Sequence, residues 1–369
     1  GLPGFPKLVC DLYERCTLPV DPVHKAAWKE RKYDQLIHLW EQEEPVGEYG
    51  IRKEVGEILG RDRPSSDGLA NHRALLQLGS VAGRKGCRSR DGGNHPLANL
   101  RLVTTNYDRL FEWAAREIVD PEESAAEAFP RYEYPALPAA TDEWRGLVYL
   151  HGRMRAEVER ERHGDWILSS ADFGRAYLQE ASAARFVDQL LQNFTVIFVG
   201  YQMADPVLRY LTDAYAAERR RKGSRHRLYA FADYDPGKKD GEEKARAEWE
   251  AKGVQPILYS LEQDTNGRPN DHRCLTSTLE AWAKHHGDPL QSRDAMVNEA
   301  LGSPGPAGST AEYHRSRFLW AVQDPEVAKK LAAMAPLADF QWWEELLSKP
   351  TVGVAVAPEG ASIDRKGAS

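Results

Sequence analysis

Cysteine is scarce in this chain of 369 residues, which has four, at positions 10, 16, 87 and 274. No two of them form a C-x-x-C pair, so their spacing indicates neither a zinc ribbon nor a disulfide framework. Thiols without such a framework suit a reducing compartment. We therefore expect a cytoplasmic protein that holds no metal.

Long apolar runs and an excess of one charge are also absent. No run approaches the roughly 20 apolar residues that cross a bilayer, and no charged-then-apolar signal segment opens the chain. The 49 basic and 56 acidic residues give a formal net charge of -7, with both signs scattered along the sequence. This composition argues against a membrane or a nucleic acid as a direct partner.

The start of the chain lacks methionine, since the first one is Met154. Residue 1 is therefore not an ordinary translation start, and we expect further residues upstream of it. The length suits one large α/β domain with a smaller appendage.

The first part of the chain has the apolar spacing of helices. Residues 6–78 predict a helical block with breaks at Pro22, Gly47 and Pro64. Residues 79–95, which are rich in glycine, arginine and serine, predict a surface loop.

Beyond that loop, short apolar runs alternate with helical patterns, as in a parallel sheet with crossover helices. The predicted strands are residues 100–103, 147–150, 195–199, 227–231 and 254–259. A helix is predicted after Gly200 from an apolar stripe that packs on the sheet. The stripe consists of Val207, Leu208, Leu211, Ala214 and Tyr215.

The C-terminal part predicts separate segments. One more helix is predicted over 268–285, which closes a main domain of residues 1–285. Residues 286–311 predict a linker, and residues 312–349 predict a small helical appendage. Residues 350–369 predict a disordered tail.

Polar residues follow three of the predicted strands at the point where each strand ends. Asn106 and Asp108 follow the first, His151 the second, and Gly200 opens a polar turn after the third. Ligands bind outside the carboxyl ends of parallel strands, so these positions predict one shared crevice. A structural alternative exists for each motif. Thr105 or Asn106 would equally serve as the cap of a helix over 107–116.

Taken together, the motifs resemble the core of the sirtuin superfamily, and more closely the sirtuin-like domains of bacterial anti-phage defence systems. The likeness lies in LRLVTTNYDRLFE, VYLHGRM, ILSSADFGRAYL and VIFVGYQMADPVLRYL. It implies a doubly wound, mostly parallel, Rossmann-like sheet of the sirtuin type with a helical insertion. The likeness covers residues 1 to about 285, which leaves the C-terminal helical appendage outside it.

The resemblance also implies roles for single residues. The catalytic asparagine of the family falls on Asn106, its nicotinamide-facing aspartate on Asp108, and its active-site histidine on His151. Further positions would contact NAD. These are Gly1, Pro3, Phe5, Thr105, Tyr107, Gly200, Tyr201, Gln202 and Phe231.

The opening residues depart from the family pattern. The segment from Gly1 to Phe5 looks like the exit of a Gly-Ala-Gly phosphate loop whose earlier glycines are missing. Backbone N–H groups of such a loop normally cradle the diphosphate. We therefore expect this sequence to lack part of the phosphate site.

Many defence members of the family hydrolyse NAD, so the resemblance implies an NAD glycohydrolase that depletes cellular NAD on infection. It also implies a homo-oligomer, controlled by a downstream sensor domain or a defence partner protein. One alternative is an NAD-dependent protein deacylase. Thr105 in place of glutamine and the missing zinc-binding cysteines weaken that alternative. The other is a non-catalytic module that senses NAD or ADP-ribose.

Overall fold

The chain divides into two compact units, Gly1–Gly287 and Asp288–Ser369. A computed structural model describes much of the first unit. The described residues are 4–16, 18–43, 46–60, 65–80, 97, 99–119, 129–141, 144–154, 166–201, 210, 212–217, 228–264 and 267–287.

Several predicted segments fall outside the described residues, wholly or for the most part. They are the surface loop 79–95, the linker 286–311, the appendage 312–349 and the tail 350–369. These assignments stay predictions.

The N-terminal part is a block of helices, as its apolar spacing predicts. It contains α1 (Phe5–Cys16), α2 (Pro22–Lys29), α3 (Tyr33–Glu41), α4 (Gly47–Leu59), a short 3-10 helix (Asp67–Leu69) and α5 (Ala70–Gly79).

Two of the predicted breaks in this block are helix starts. Pro22 is the first residue of α2, where its missing N–H costs no hydrogen bond. The preceding Asp21 caps the helix, because its carboxylate accepts hydrogen bonds from the N–H groups of Val23 at 2.8 Å and His24 at 3.0 Å. Gly47 begins α4 with a φ of 59°, which glycine adopts without strain.

The helices of this block bury their apolar sides against one another. Fully buried members of the cluster are Leu12, Leu36, Ile37, Trp40, Ile51 and Val55. Burial of each such side chain is worth about 1.5–3 kcal/mol. Met154, Trp166 and Leu168 join the same cluster, so the helical block packs on the segments that follow His151.

Among the described residues, six short strands form the parallel sheets of the α/β part. They are β1 (Arg101–Thr104), β2 (Arg131–Glu133), β3 (Gly146–Tyr149), β4 (Val196–Phe198), β5 (Leu228–Tyr234) and β6 (Gln255–Ser260). All but β2 coincide with predicted strands, to within a few residues at their ends.

The strands pair in two parallel sheets of three, ordered β1-β3-β2 and β4-β5-β6. The two sheets share one hydrophobic cluster, to which Val148 and Leu150 contribute from the first and Leu228 and Ala230 from the second. The predicted α/β class with parallel strands is confirmed. Among the described strands, the sheet is present as two separately paired parts.

Helices flank these strands. They are α6 (Leu110–Ile118), α7 (Ser170–Phe173), a π-helix (Gly174–Gln179) that continues α7, α8 (Ser182–Asn193), α9 (Gly241–Ala251) and α10 (Arg273–Gly287). Helix α9 connects the parallel strands β5 and β6, as a crossover helix does. Residues 212–217 are helical as predicted, whereas residues 202–209 lie outside the described part.

Two predicted helices begin later than expected. The helix predicted over 268–285 begins at Arg273, because Pro269–Asp271 forms a strand, β8, antiparallel to Glu262–Gln263, which is β7. The helix predicted from residue 107 begins at Leu110. Neither Thr105 nor Asn106 caps it, so that structural alternative is wrong.

Candidate active site

The turn after β1 holds Asn106 and Asp108. The hydroxyl of Thr104 accepts a hydrogen bond from the N–H of Asn106 at 3.1 Å, and Asp108 Oδ1 accepts one from the N–H of Leu110 at 2.9 Å. The side chain of Asn106 lies near the Asp108 carboxylate and favours its charged form. Asn106 is exposed, whereas Asp108 is only 7% exposed. The turn therefore holds an accessible amide, Asn106, next to a buried carboxyl group, Asp108.

Burial controls the acidity of this carboxyl group. Loss of solvent raises the pKa of Asp108 above its ordinary value, against the opposing effects of the Leu110 N–H and the Asn106 side chain. A carboxylate with a raised pKa accepts a proton more readily than an exposed aspartate does.

His151 follows the neighbouring strand. Strands β1 and β3 pair in parallel with Thr104 opposite Tyr149, and the N–H of Leu150 donates to the carbonyl oxygen of Thr104 at 2.8 Å. Asn106 and His151 each stand two residues beyond this last pair. Both therefore lie at the carboxyl ends of adjacent strands, where ligands of parallel sheets bind.

Aromatic side chains enclose the imidazole of His151. Its Nε2 lies 2.9 Å from the hydroxyl oxygen of Tyr177, and the Phe173 ring meets it edge-to-face at 5.3 Å between centroids. The residue is 5% exposed, and burial lowers the pKa of His151 to about 3. The ring is therefore neutral over the whole physiological pH range.

Gly152 makes the turn after His151 possible. Its φ of 91° lies in a region that other L-residues rarely adopt. Its N–H donates to the carbonyl oxygen of Tyr149 at 3.2 Å, so the chain turns back directly after the histidine. The backbone conformation of this turn therefore explains why a glycine follows His151.

Tyr107 makes its contacts with other residues of the protein core through its hydroxyl, its carbonyl oxygen and its ring. Its hydroxyl donates to the carbonyl oxygen of Ile167 at 2.7 Å, and its carbonyl oxygen accepts from the N–H of Met154 at 2.7 Å. Its ring lies 5.9 Å from that of Trp166. These contacts hold the segments that follow His151. Thr105 is half-buried beside it.

The turn after β4 begins with Gly200, which has a φ of 65° and no atom within 4 Å of the place where a Cβ would stand. The ring of Tyr201 stacks on that of Phe198 at 5.8 Å. Tyr201 also packs against the hydrophobic cluster that contains Leu150 and Tyr177. Strand pairing places Asn106 and His151 at the ends of adjacent strands but does not extend to this turn among the described strands.

The remaining predicted contacts lie elsewhere or outside the described residues. Phe231 is 6% exposed in β5 and packs on Leu275 and Leu279 of α10. These contacts make it a core residue. Phe5 is half-buried at the start of α1 and packs on the helical block. Gly1, Pro3 and Gln202 are not among the described residues.

Sequence reasoning missed a group of charged residues around Glu112. Glu112 in α6, which is 3% exposed, pairs with Arg109 at 2.9 Å and Arg153 at 2.9 Å. Burial alone would raise the pKa of Glu112, but Arg153 and Arg109 bring it below its ordinary value. The hydroxyl of Tyr149 also donates to Glu112 at 3.3 Å. This cluster ties α6 to the end of β3.

Sequence reasoning also missed Tyr177 and the anchoring of its helix. A capping box of Ser169 and Asp172 starts α7, and Asp172 binds the guanidinium of Arg52 at 2.7 Å. The spacing S-x-x-D of the capping box is a readable signal. Neither Arg52 nor Tyr177 carries a comparable local signal.

The part of the chain that the structure describes contains no group of three or more metal-ligating side chains, and none of its helices is long and apolar enough to cross a membrane. Cys10, Cys16 and Cys274 are free thiols.

One relative is known by sequence. The chain is 27% identical over 323 residues to the uncharacterized protein y4cA of Sinorhizobium fredii (strain NBRC 101917 / NGR234), a match that covers 87% of this chain. The match covers 24% of that relative, so the chain spans about a quarter of the relative's length.

A second comparison concerns the family. Residues 100–257 match the model of the SIR2-like domain, which is consistent with the resemblance to the sirtuin superfamily. This range includes Asn106, Asp108 and His151, and a SIR2-like domain implies a function related to NAD. Residues 100–257 of the chain are therefore similar to the SIR2-like domain.

Proposed function

We propose that the protein is an NAD glycohydrolase, which cleaves NAD into nicotinamide and ADP-ribose at Asn106, Asp108 and His151. The observation that supports this most is the parallel pairing of β1 with β3, since both strands end at the same edge of the sheet. The SIR2-like domain supports the choice of NAD as substrate.

The reaction sets clear demands on the site. The bond between C1′ of the ribose and the pyridinium nitrogen breaks, and both bonding electrons leave with nicotinamide. Because nicotinamide departs neutral, no strong general acid is needed. Positive charge develops on the ribose, as in other glycoside cleavages. Water then adds to C1′ and gives up one proton.

Asn106 and Asp108 would serve the water and the developing charge. The exposed amide of Asn106 is suited to holding the attacking water. The carboxyl group of Asp108 lies near that amide, and its raised pKa favours it as the acceptor of the proton that the water loses. Its negative charge would also stabilise the cationic ribose or hold the carboxamide of nicotinamide.

His151 would accept a hydrogen bond from a ribose hydroxyl. A pKa of about 3 makes complete proton transfer to this ring costly, so hydrogen-bond acceptance is the role that its burial favours. A neutral ring also avoids repulsion between an imidazolium and the cationic ribose. Both arguments suit a site that stabilises positive charge.

The test is release of nicotinamide from NAD by the purified full-length protein. We expect Asn106→Ala and His151→Ala each to lower kcat by at least about 100-fold. Matched controls are Asn193→Ala and His38→Ala, which remove the same side chains from α8 and α3 and should leave kcat unchanged. Undiminished release by Asn106→Ala or His151→Ala would reject the assignment.

The same assay separates the alternatives. Release of nicotinamide only in the presence of an acylated peptide would show a deacylase. Binding of ADP-ribose without any release would show a sensing module. Either result would overturn the glycohydrolase.

We further propose that this activity belongs to a cytoplasmic defence effector, which forms a homo-oligomer and is restrained by a sensor domain or a partner protein. The reason is physical, since uncontrolled loss of NAD would kill the cell. The resemblance to defence domains supports the role. Cellular NAD would be measured after phage infection in cells with the wild-type protein and with Asn106→Ala. Equal NAD in both would contradict it.

A further inference from the structure

Asn106 combines an exposed side chain with a backbone that is hydrogen-bonded to the strand before it. Its N–H donates to the hydroxyl oxygen of Thr104 at 3.1 Å. A threonine that accepts a hydrogen bond from the N–H two residues further along the chain forms a side-chain turn. The Thr104 hydroxyl therefore helps to set the path of the chain where β1 ends.

Thr104 is held by contacts that do not involve Asn106. It is the last residue of β1 and stands opposite Tyr149 in β3. Its carbonyl oxygen accepts a hydrogen bond from the N–H of Leu150 at 2.8 Å. The residue is 8% exposed, and the branched Cβ of threonine restricts the rotation of its side chain. The hydroxyl oxygen therefore has a fixed place relative to the end of the strand.

The residue after Asn106 is held as well. The carbonyl oxygen of Tyr107 accepts from the N–H of Met154 at 2.7 Å, and its hydroxyl donates to the carbonyl oxygen of Ile167 at 2.7 Å. Asn106 thus lies between two anchored positions. The Thr104 hydroxyl supplies the contact on the N-terminal side, and Tyr107 supplies the one on the C-terminal side.

We propose that Thr104 is a positioning residue, whose hydroxyl holds the backbone of Asn106 and thereby directs its side-chain amide at the attacking water. This inference rests on the proposed function, in which that amide holds the water. Thr104 acts through Asn106 and touches neither the water nor NAD. A misplacement of about 1 Å at a reacting group can cost on the order of 100-fold in rate, so a loosened turn lowers the rate of attack.

A purely structural role of Thr104 has a different consequence. Thr104→Ser keeps the hydroxyl and loses a buried methyl group, whereas Thr104→Val keeps the volume and loses the hydroxyl. Both changes at a buried residue lower the stability of the fold. If Thr104 only supported the fold, kcat would follow stability in both variants. The proposal requires instead that kcat follow the hydroxyl.

Steady-state kinetics of nicotinamide release by the full-length protein give the first measurement. We expect Thr104→Val to lower kcat about fivefold to tenfold at unchanged KM, because the lost hydrogen bond orients a group that acts on the water and not on the binding of NAD. Thr104→Ser should keep the wild-type kcat. Thr104→Ala also lacks the hydroxyl, and it replaces Thr104→Val if that variant does not fold. Equal kcat in the variants with and without the hydroxyl would overturn the proposal.

Hydrogen exchange of the Asn106 N–H gives a second measurement, which needs no activity. The signal is observed by NMR in ¹⁵N-asparagine-labelled protein and is assigned by its loss in Asn106→Ala. The bond to Thr104 should slow this exchange in the wild type and in Thr104→Ser. In Thr104→Val the exchange should be at least about tenfold faster, because the N–H of an exposed residue then lacks its acceptor.

The matched control is Thr278→Val, which removes an exposed threonine hydroxyl from α10, where it donates to the carbonyl oxygen of Cys274 at 2.7 Å. It should leave kcat and the exchange of Asn106 as in the wild type. Equal exchange in the wild type and Thr104→Val would overturn the proposal, whatever the activity. If the wild type releases no nicotinamide while the exchange behaves as expected, the glycohydrolase falls and the hold of Thr104 on Asn106 stands.

Discussion

The guanidinium of Arg52 lies 2.7 Å from the carboxylate of Asp172, although 120 residues separate the two in sequence. Both side chains are nearly inaccessible, at 2% and 4% exposure. Burial disfavours the charge on Arg52, but Asp172 and Glu41 more than offset this and raise its pKa. The pair ties α4 in the helical block to the start of the helix that carries Tyr177.

Removal of Arg52 should therefore destabilise the protein strongly. Arg52→Met leaves the carboxylate of Asp172 buried beside Glu41 without its main partner, and breaking a buried pair in this way costs about 3–5 kcal/mol. Urea unfolding would measure the loss. Arg175→Met is the matched control, since Arg175 is 46% exposed and lies 3.4 Å from the same carboxylate. It should cost less than about 1 kcal/mol. Equal losses in the two variants would contradict the argument.

Glu112 should give the protein part of its stability in a defined pH range. Its folded pKa lies below the ordinary value of 4.5, because Arg153 and Arg109 outweigh the opposing effect of burial. The contribution is therefore complete above about pH 4.5 and is lost as the pH falls through the lower, folded pKa. Glu112→Gln should cost about 3 kcal/mol at pH 7.

The measurement for Glu112 is the free energy of unfolding of both proteins between pH 7 and pH 3. The gap between the wild type and Glu112→Gln should shrink as the pH falls below about 4.5. A gap of constant size would show that the carboxylate contributes through shape and not through charge.

The parts of the fold that could be predicted are those that a local sequence pattern indicates. The apolar runs of β1, β3, β4, β5 and β6 are continuous in the sequence. The placement of Asn106 and His151 at adjacent strand ends followed from one rule, that parallel strands end at the same edge. Strand β2, with the sequence Arg-Tyr-Glu, has no such run, and only its backbone pairing with β3 defines it.

The start of α6 shows why a local pattern also fails. Tyr107 and Asp108 fit a first helical turn by residue type. Their groups are instead engaged elsewhere, since Tyr107 bonds Ile167 and Met154, and Asp108 accepts from Leu110. The contacts of Tyr107 with residues far from it in sequence thus override the local preference. The same holds for His151 and Tyr177, which are 26 residues apart and meet only through the π-turn.

The buried imidazole of His151 should make stability depend on pH in the mildly acidic range. Its pKa falls from 6.5 to about 3 on folding, because burial disfavours the charged ring. The unfolded chain therefore takes up a proton below pH 6.5 that the folded protein does not, so stability is complete above pH 6.5 and falls as the pH drops. Between pH 6.5 and 5 the loss should reach about 2 kcal/mol.

Urea unfolding of His151→Gln at the same pH values would test this, since the variant lacks the ring and should lose less stability on acidification. Tyr177→Phe is the matched control, because it keeps the imidazole buried and should keep the wild-type pH dependence. If His151→Gln shows the same pH dependence as the wild type, the ring does not avoid protonation in the folded protein.

Gly152 offers a test of how far the backbone places His151. Gly152→Ala forces a methyl group onto a residue with a φ of 91°, which costs about 1–2 kcal/mol and favours a change in the turn. Because His151 directly precedes this turn, its ring should shift from Tyr177, and nicotinamide release should fall by more than the loss of folded protein explains.

Gly174→Ala is the matched control. Gly174 has a helical φ of -56° and open space around the Cβ position, so alanine there should be neutral or stabilise by about 0.5–1 kcal/mol. Thermal unfolding and nicotinamide release, measured on both variants, would separate the two glycines. Equal behaviour would mean that the turn after His151 tolerates an ordinary residue.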